Sequence, residues 1–427
     1  MSFSFFSVLP LMLSTFLMMI GFGLAGYVVP IRSLAEGWST LTISLIATGY
    51  TLGFTLSCVV TPVFVRRVGH VRVFAALVTL LSVAILLCGL VVDWRAWIVF
   101  RATLGFAMSG SYLVIESWLN ERVTNDNRGM LFSLYLITTM IGTVAGQYLV
   151  PLGDAKTPVL FMVCGVIFSL ALLPTALSTS PTPAAPSRAN FNLTGLFRRS
   201  PVAVIGSLLA GAMSGAWFNL GGVFAKQIGL STTQGATLLA SLLIGSALSQ
   251  IPIGRASDRM DRRKVMVACG AIGLVSCLAM LLLSPAGAPT VYVVGACVGA
   301  MVFPIYALNV AHANDLAEPD DYVSVSSGMM ITYGLGTVSG PLMVGPAMDR
   351  FGPNALFVML GLYFLAYGGY AAWRILRRQE AEGLVSKTEF QANTVPTPGL
   401  DVAAAMSQPP PLIEPRDGEA DDATAAS

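Results

Sequence analysis

Twelve runs of about twenty apolar residues, parted by short polar connections, leave this chain little choice of fold. In a segment of that length and composition, an α-helix crossing a bilayer is what satisfies every backbone N–H and C=O. The runs fall at about Phe6–Val29, Leu41–Thr61, Val73–Val92, Ala96–Trp118, Met130–Val150 and Pro158–Leu177. After a break they resume at about Val202–Phe224, Thr233–Ile253, Val265–Leu283, Val291–Val310, Val323–Val344 and Asn354–Trp373. The expected fold class is an all-α integral membrane protein of twelve spans in two six-helix halves.

Length and charge close off the alternatives. In 427 residues these spans leave no room for a large soluble domain, and with 55% hydrophobic against 11% charged residues the chain is too apolar for a globule in water. A net charge of +2 supplies no electrostatic footprint for nucleic acid. Cys58, Cys88, Cys164, Cys269, Cys277 and Cys297 all sit inside apolar runs, without CxxC pairs or neighbouring His, so no metal or other cofactor is expected. No Lys or Arg precedes the first run, which therefore reads as a retained helix rather than a signal peptide.

Local signals punctuate the pattern. Gly21, Gly23 and Gly26 make a small-residue face on the first span, Pro30 is expected to end it, and Ser39 and Thr40 are placed to cap the second. The stretch STSPTPAAPSRANFNLTGLFRRS, 178–200, is the one long interruption and reads as a cytoplasmic linker between a bundle at 1–177 and a bundle at 201–373. Residues 374–427 are Pro-, Ala- and acid-rich and read as a disordered cytoplasmic tail.

Orientation follows from counting cations by side. The side of the termini collects Arg66, Arg67, Arg72, Arg122, Arg128, the group at 255–264 and the arginines of linker and tail, against Arg32, Arg95, Lys156, Lys226 and Arg350 opposite. Both termini are thus expected in the cytoplasm. The halves also match each other: Gly37-Trp38-Ser39-Thr40 with Gly229-Leu230-Ser231-Thr232, Gly53 with Gly245, Gly105 and Tyr112 with Gly299 and Tyr306. The longest match sets ITTMIGTVAGQYLV (137–150) against ITYGLGTVSGPLMV (331–344). Repeated halves about a membrane-normal axis are a transporter architecture, with the solute site between them.

The run GRASDRMDRRK, 254–264, resembles the signature loop of the major facilitator superfamily: Gly254, then Asp258, then Arg259 and the basic Arg262 and Arg263. The segment VIESWLNERVTNDNRGMLFSLYLITTMIGTVAGQ, with IPIGRASDR and ITYGLGTVSGP, resembles the YcaD-like branch of that superfamily, a group of bacterial inner-membrane proteins. The first-half copy of the loop, TPVFVRRVGHVR, departs from the pattern, with Pro62 in place of the glycine and Arg66 in place of the acid. The resemblance implies a secondary active transporter working by alternating access as a monomer in the lipid bilayer of the inner membrane, moving a small organic solute with protons as the candidate coupling ion. Its signature acid is implied to face the start of the fifth span near Gly129. Gly336, Gly340 and Pro341 carry a GxxxGP run, which leans to efflux, whereas Gly142 and Gly146 are followed by Gln147.

Residues for mechanism divide by depth. Asp258 with Arg259, Arg262 and Arg263 is the expected cytoplasmic gate, and Glu116 is expected to pair with Arg66, Arg67 or Arg72 beside it, with proton coupling or an ordinary interfacial place as its alternatives. Arg101 with Gly105 resembles the superfamily's RxxxG motif, a coupling or solute contact, or else Arg101 snorkels to the headgroups. Tyr112, Gln147, Trp217, Asn219, Tyr306, Asn309 and Tyr333 are candidates for lining a cavity, or serve as interhelical hydrogen-bond glue. No HExxH or GxSxG run accompanies them, so no enzyme is expected. A membrane sensor signalling through the tail is the alternative.

Overall fold

The computed structural model describes residues 8–121, 128–177, 193–283, 288–317 and 322–377. Its first half is α1 (Leu9–Ala35), α2 (Thr40–Val68), α3 (His70–Leu90), α4 (Trp94–Glu121), α5 (Arg128–Leu149) with a 3-10 turn at Val150–Leu152, and α6 (Val159–Ala176). A short α7 (Leu193–Arg199) precedes α8 (Pro201–Gln227), α9 (Thr232–Arg259), α10 (Arg262–Leu283), α11 (Ala288–Val302), α12 (Pro304–Asp315), α13 (Tyr322–Phe351) and α14 (Ala355–Arg377). Among the described residues eleven stretches are long and apolar enough to cross a membrane, and α11 with α12 make one of them, Pro289–Asp315. The 30-residue α13 completes twelve. It packs against α8 and α2, so its Gly, Ser and Thr residues meet helices as well as lipid.

Several helices outrun their expected ends. Pro30 does not end α1, which continues to Ala35. In an apolar setting one lost backbone bond is cheaper than unwinding the turns beyond it. The helix stops instead at Gly37, whose φ of 75° only glycine adopts without strain, as the Trp38 N–H returns to the Ser33 carbonyl at 3.2 Å. The repeat is literal: Gly229 has φ 85° and the Leu230 N–H returns to the Ala225 carbonyl at 3.0 Å. Ser39 and Ser231 then cap α2 and α9.

Both signature segments are mostly helical rather than looped. Pro62 lies inside α2, which runs to Val68, and Gly69 is the whole connection to α3. Gly254 to Arg259 close α9, leaving Met260 and Asp261 as the break before α10. The tenth span is not the continuous helix expected: it breaks at Phe303, because Pro304 has no N–H to offer the Ala300 carbonyl. Ser249 of α9 compensates, its hydroxyl lying 2.7 Å from that carbonyl and 2.9 Å from its own Ser246 carbonyl. Residues 178–192 of the expected linker and 378–427 of the expected tail lie outside the described residues, and 374–377 continue α14.

Packing repeats as well. In the first half α2 pairs with α4 and α1 with α5; in the second α9 pairs with α11 and α8 with α13. Each crossing is made by glycines seated on a carbonyl of the other helix, where a Cβ would collide. Gly53 sits on Ala102 and Gly105 on Tyr50, while Gly245 sits on Ala296 and Gly299 on Leu242. Gly146 sits on Ile20 and Gly23 on Thr143, while Gly340 sits on Ala212 and Gly215 on Thr337. Gly142 meets the Met19 side chain and Gly336 the Leu208 carbonyl. These contacts bring backbones close enough for dispersion and Cα–H···O attraction to replace the hydrophobic drive that lipid removes.

Candidate functional site

The halves meet chiefly through α2 against α13, α1 against α8 and α5 against α9. At the end of the molecule away from the chain termini, four hydrogen bonds among the described residues cross this seam. The Tyr27 hydroxyl donates to the Thr232 carbonyl at 2.8 Å, and the Tyr148 and Thr237 hydroxyls lie 2.9 Å apart. The Asp349 carboxylate accepts from the Thr40 N–H at 2.7 Å and the Leu41 N–H at 2.9 Å. Gly345 beside them packs on Ser44 and the Thr40 carbonyl. Nothing in the sequence singles these residues out for a seam, since each is an ordinary helix-end residue until the fold sets the halves side by side.

At the terminus end, the signature segment forms a charged knot within the second half. Arg262 is buried, its Nε 2.6 Å from Asp315 Oδ2 at the end of α12, and its terminal nitrogens reach Ser257 and, at 3.3 Å, Asp258. Arg263 folds onto Asp261 at 3.0 Å, while Arg259 is exposed. The expected cluster therefore splits, with Asp315 as an acid that no motif announces. Partial burial pushes the Asp261 carboxyl up, but the hydrogen bonds and charge of Arg263, helped by His312, outweigh it and hold the carboxyl below its usual range. Gly254 is buried in the last turns of α9. The start of α5 near Gly129, the implied facing partner of Asp258, has no described side chain at that position.

Inside the first half lie Arg101 and Glu116 of α4. Glu116 is fully buried and accepts a hydrogen bond from the Tyr135 hydroxyl of α5 at 3.1 Å. Arg66 and Arg72 have largely exposed side chains. Arg101 does not snorkel: it is 6% exposed, and its guanidinium carbon lies 4.6 Å from the Tyr50 ring centroid, a cation–π contact with α2. Its Nε has no hydrogen-bond partner. Tyr50 also supplies the carbonyl on which Gly105 sits, so the two halves of the RxxxG motif grip one residue of α2.

The cavity candidates separate once their neighbours are visible. Trp217 packs on Phe357 of α14, and Asn309 accepts from the Tyr367 hydroxyl of α14 at 3.1 Å, both inside the second bundle. Both contacts tie helices of that bundle together. Tyr306 and Tyr333 stack edge to face with centroids 4.9 Å apart, joining α12 to α13. Tyr112 donates to Met19 Sδ of α1 at 3.0 Å, and Asn219 bonds the Gly215 carbonyl of its own helix at 2.8 Å. Gln147 is buried with its Oε1 unpartnered, and Pro341 is buried within α13, following Gly340. Phe218, only partly buried on α8, meets Phe303 at the helix break with centroids 5.3 Å apart. Among the described residues no group of three or more His, Cys, Asp or Glu could hold a metal ion.

Two bundles of repeated topology meeting along a seam, each with matched glycine crossings, define a membrane transporter fold. The sequence profile of the Major Facilitator Superfamily matches residues 11–245 and 202–413, and the chain belongs to that superfamily. It is 27% identical over 367 residues to an uncharacterized MFS-type transporter of Yersinia pestis (strain Pestoides F), covering 83% of this chain and 92% of the relative. It is 25% identical over 348 residues to the MFS-type transporter YcaD of Escherichia coli O17:K52:H18, covering 79% and 88%. Among solved structures, the nucleoside transporter NupG superposes with a TM-score of 0.72 at 15% identity, over 86% of this chain and 98% of that one. A bacterial homolog of the human lysosomal transporter Spinster, in an inward-facing, occupied conformation, gives 0.69 at 15% identity, over 88% and 97%. These likenesses fix the fold.

Proposed function

We propose that this protein is a secondary active transporter that moves a small organic solute by alternating access, rocking the bundles 1–177 and 201–373 about the seam between α2 and α13 and between α5 and α9. The observation that carries this reading is the seam itself: among the described residues, hydrogen bonds join the halves at the end away from the termini, while each half is locked internally by glycine-to-carbonyl crossings. Separation at that end therefore breaks a handful of bonds and leaves each bundle intact.

In this reading the termini, the linker 178–200 and the tail 374–427 lie on the cytoplasmic side of a bacterial inner membrane and the protein works as a monomer. The Asp258, Arg262 and Asp315 knot holds the cytoplasmic ends of α9, α10 and α12 together as one gate element. The buried Arg101 and Glu116 are the groups through which solute charge or protons couple to motion, since an ionisable side chain within a span is costly unless it is used. A neutral, amphipathic or anionic solute fits the buried Arg101 better than a strong cation does, and the GxxxGP run of α13 inclines the direction to export.

The test is purified protein in liposomes carrying a pH-sensitive dye, challenged with a library of small solutes, with Arg101→Ala and Glu116→Gln beside the parent. Solute-dependent proton flux that Arg101→Ala abolishes is the expected result. Solute movement without proton flux would remove the coupling role and leave transport, and no solute movement across the library would count against the reading as a whole.

A further inference from the structure

We propose that Asp349 is a releasable latch that holds the far end of the transporter shut by capping a helix of the opposite half. The carboxylate comes from the last turn of α13 and takes the first two N–H groups of α2, Thr40 and Leu41, while the N-cap Ser39 takes the Thr42 N–H at 3.2 Å. The orphan donors that open a helix are thus shared between the helix's own cap and an acid that is distant in sequence and belongs to the other bundle. A negative charge is favoured there by the helix dipole as well as by the two bonds.

Three observations mark this as a device of the seam and not routine capping. An ordinary cap stays local: on the same face Asp93 takes the Arg95 and Ala96 N–H groups, both at 2.9 Å, at the start of α4, only a few residues away. The first-half counterpart stays local as well: Asp154, the acid in the matching turn, takes the Lys156 N–H at 2.9 Å, the neighbouring Ala155 carbonyl receives Arg32 at 3.2 Å, and α9 closes its own start with the Ser231 and Gln234 capping box. Finally, Asp349 is exposed, so water can replace both of its bonds when the halves part. A buried pair would hold the far end permanently; an exposed cap biases the equilibrium and lets it turn over.

This inference rests on the alternating-access reading, and the experiment separates the two. Spin labels at Ala35→Cys and Asn354→Cys, exposed positions on opposite halves, are placed in a background with the six native cysteines replaced, and their distance distribution is measured in liposomes. The parent should show a dominant short and a minor long population. Asp349→Ala should raise the long-to-short ratio roughly fivefold, the loss of one helix cap, and Asp349→Asn, which keeps a neutral acceptor, by less. Asp93→Ala, the matched cap within one half, should leave the ratio unchanged. An unaltered distribution in both Asp349 variants, or an equal shift in Asp93→Ala, overturns the latch while leaving alternating access standing. A single invariant distance in every protein overturns both. Should Asp349→Ala fail to fold, amide exchange at Thr40 and Leu41 in Asp349→Asn decides the matter: faster exchange is expected, and parent-like protection overturns the proposal.

Discussion

Helix α4 and the broken pair α11 and α12 occupy the same place in the two halves, yet they are built for different work. Gly105 and Gly299 seat both on carbonyls of the preceding partner helix, at Tyr50 and Leu242. Five residues on, the first half has Gly110 and an unbroken helix, whereas the second has Pro304 and a break at Phe303. The hydroxyl that follows the break differs accordingly. Ser249 reaches the carbonyl freed by Pro304, while Ser57 at the matching position bonds Thr61 at 2.7 Å in its own helix. The ionisable groups run the other way, with Arg101 and Glu116 in α4 against Gly295 and Val310. Between these two matched spans, Arg101 and Glu116 belong to the first half and the helix break to the second, so the repeat preserved the crossings and divided the remaining roles.

The hardest break of this comparison is to force the second half's feature on the first. Gly110→Pro should cost about 3 kcal/mol or more, because it removes a backbone bond from an unbroken helix and crowds Leu77, Thr61 and Ser57. The yield of monodisperse protein on size exclusion should collapse. Next in size, Arg262→Ala should cost about 3 kcal/mol by leaving Asp315 buried without its guanidinium, read as a lowered unfolding temperature in detergent. His70→Ala, at the first-half position matching Arg262, should cost less, since His70 packs beside Trp118 at 6.1 Å.

A double-mutant cycle sharpens the account of the helix break. Ser249→Ala should cost about 1 kcal/mol in the parent and close to nothing once Pro304→Ala has returned an N–H to the Ala300 carbonyl. Equal costs in both backgrounds would detach Ser249 from the break. Tyr50→Leu should cost about 1 kcal/mol through the lost face under Arg101, and less in an Arg101→Leu background; the second half, with Gly295 at that place, has no equivalent contact.

The smallest effect is one of pH. The folded Asp261 carboxyl titrates below its unfolded value, so its contribution is complete above the ordinary carboxylate range near pH 4 and is lost as pH falls through the lowered value. Asp261→Asn should flatten that acid limb of the unfolding curve and leave neutral stability slightly reduced.

Everything set by local chemistry and period was legible in the chain before it folds. Apolar runs of membrane length fixed the helices, Gly37 and Gly229 with the serines after them fixed matching turns, and recurring glycines announced close crossings before their partners were known. The prolines misled, because Pro30 and Pro62 sit within helices whose remaining bonds lipid makes too costly to release, while Pro304 does break its span. Partnership, by contrast, came from the packing of the bundles. Asp315 meets Arg262 across 53 residues, Tyr135 meets Glu116, and Asp349 caps a helix more than 300 residues away. Hydrogen bonds and charge contacts act over a few ångströms, and which acids and donors come within that reach is a relation between distant segments that no single stretch of chain contains.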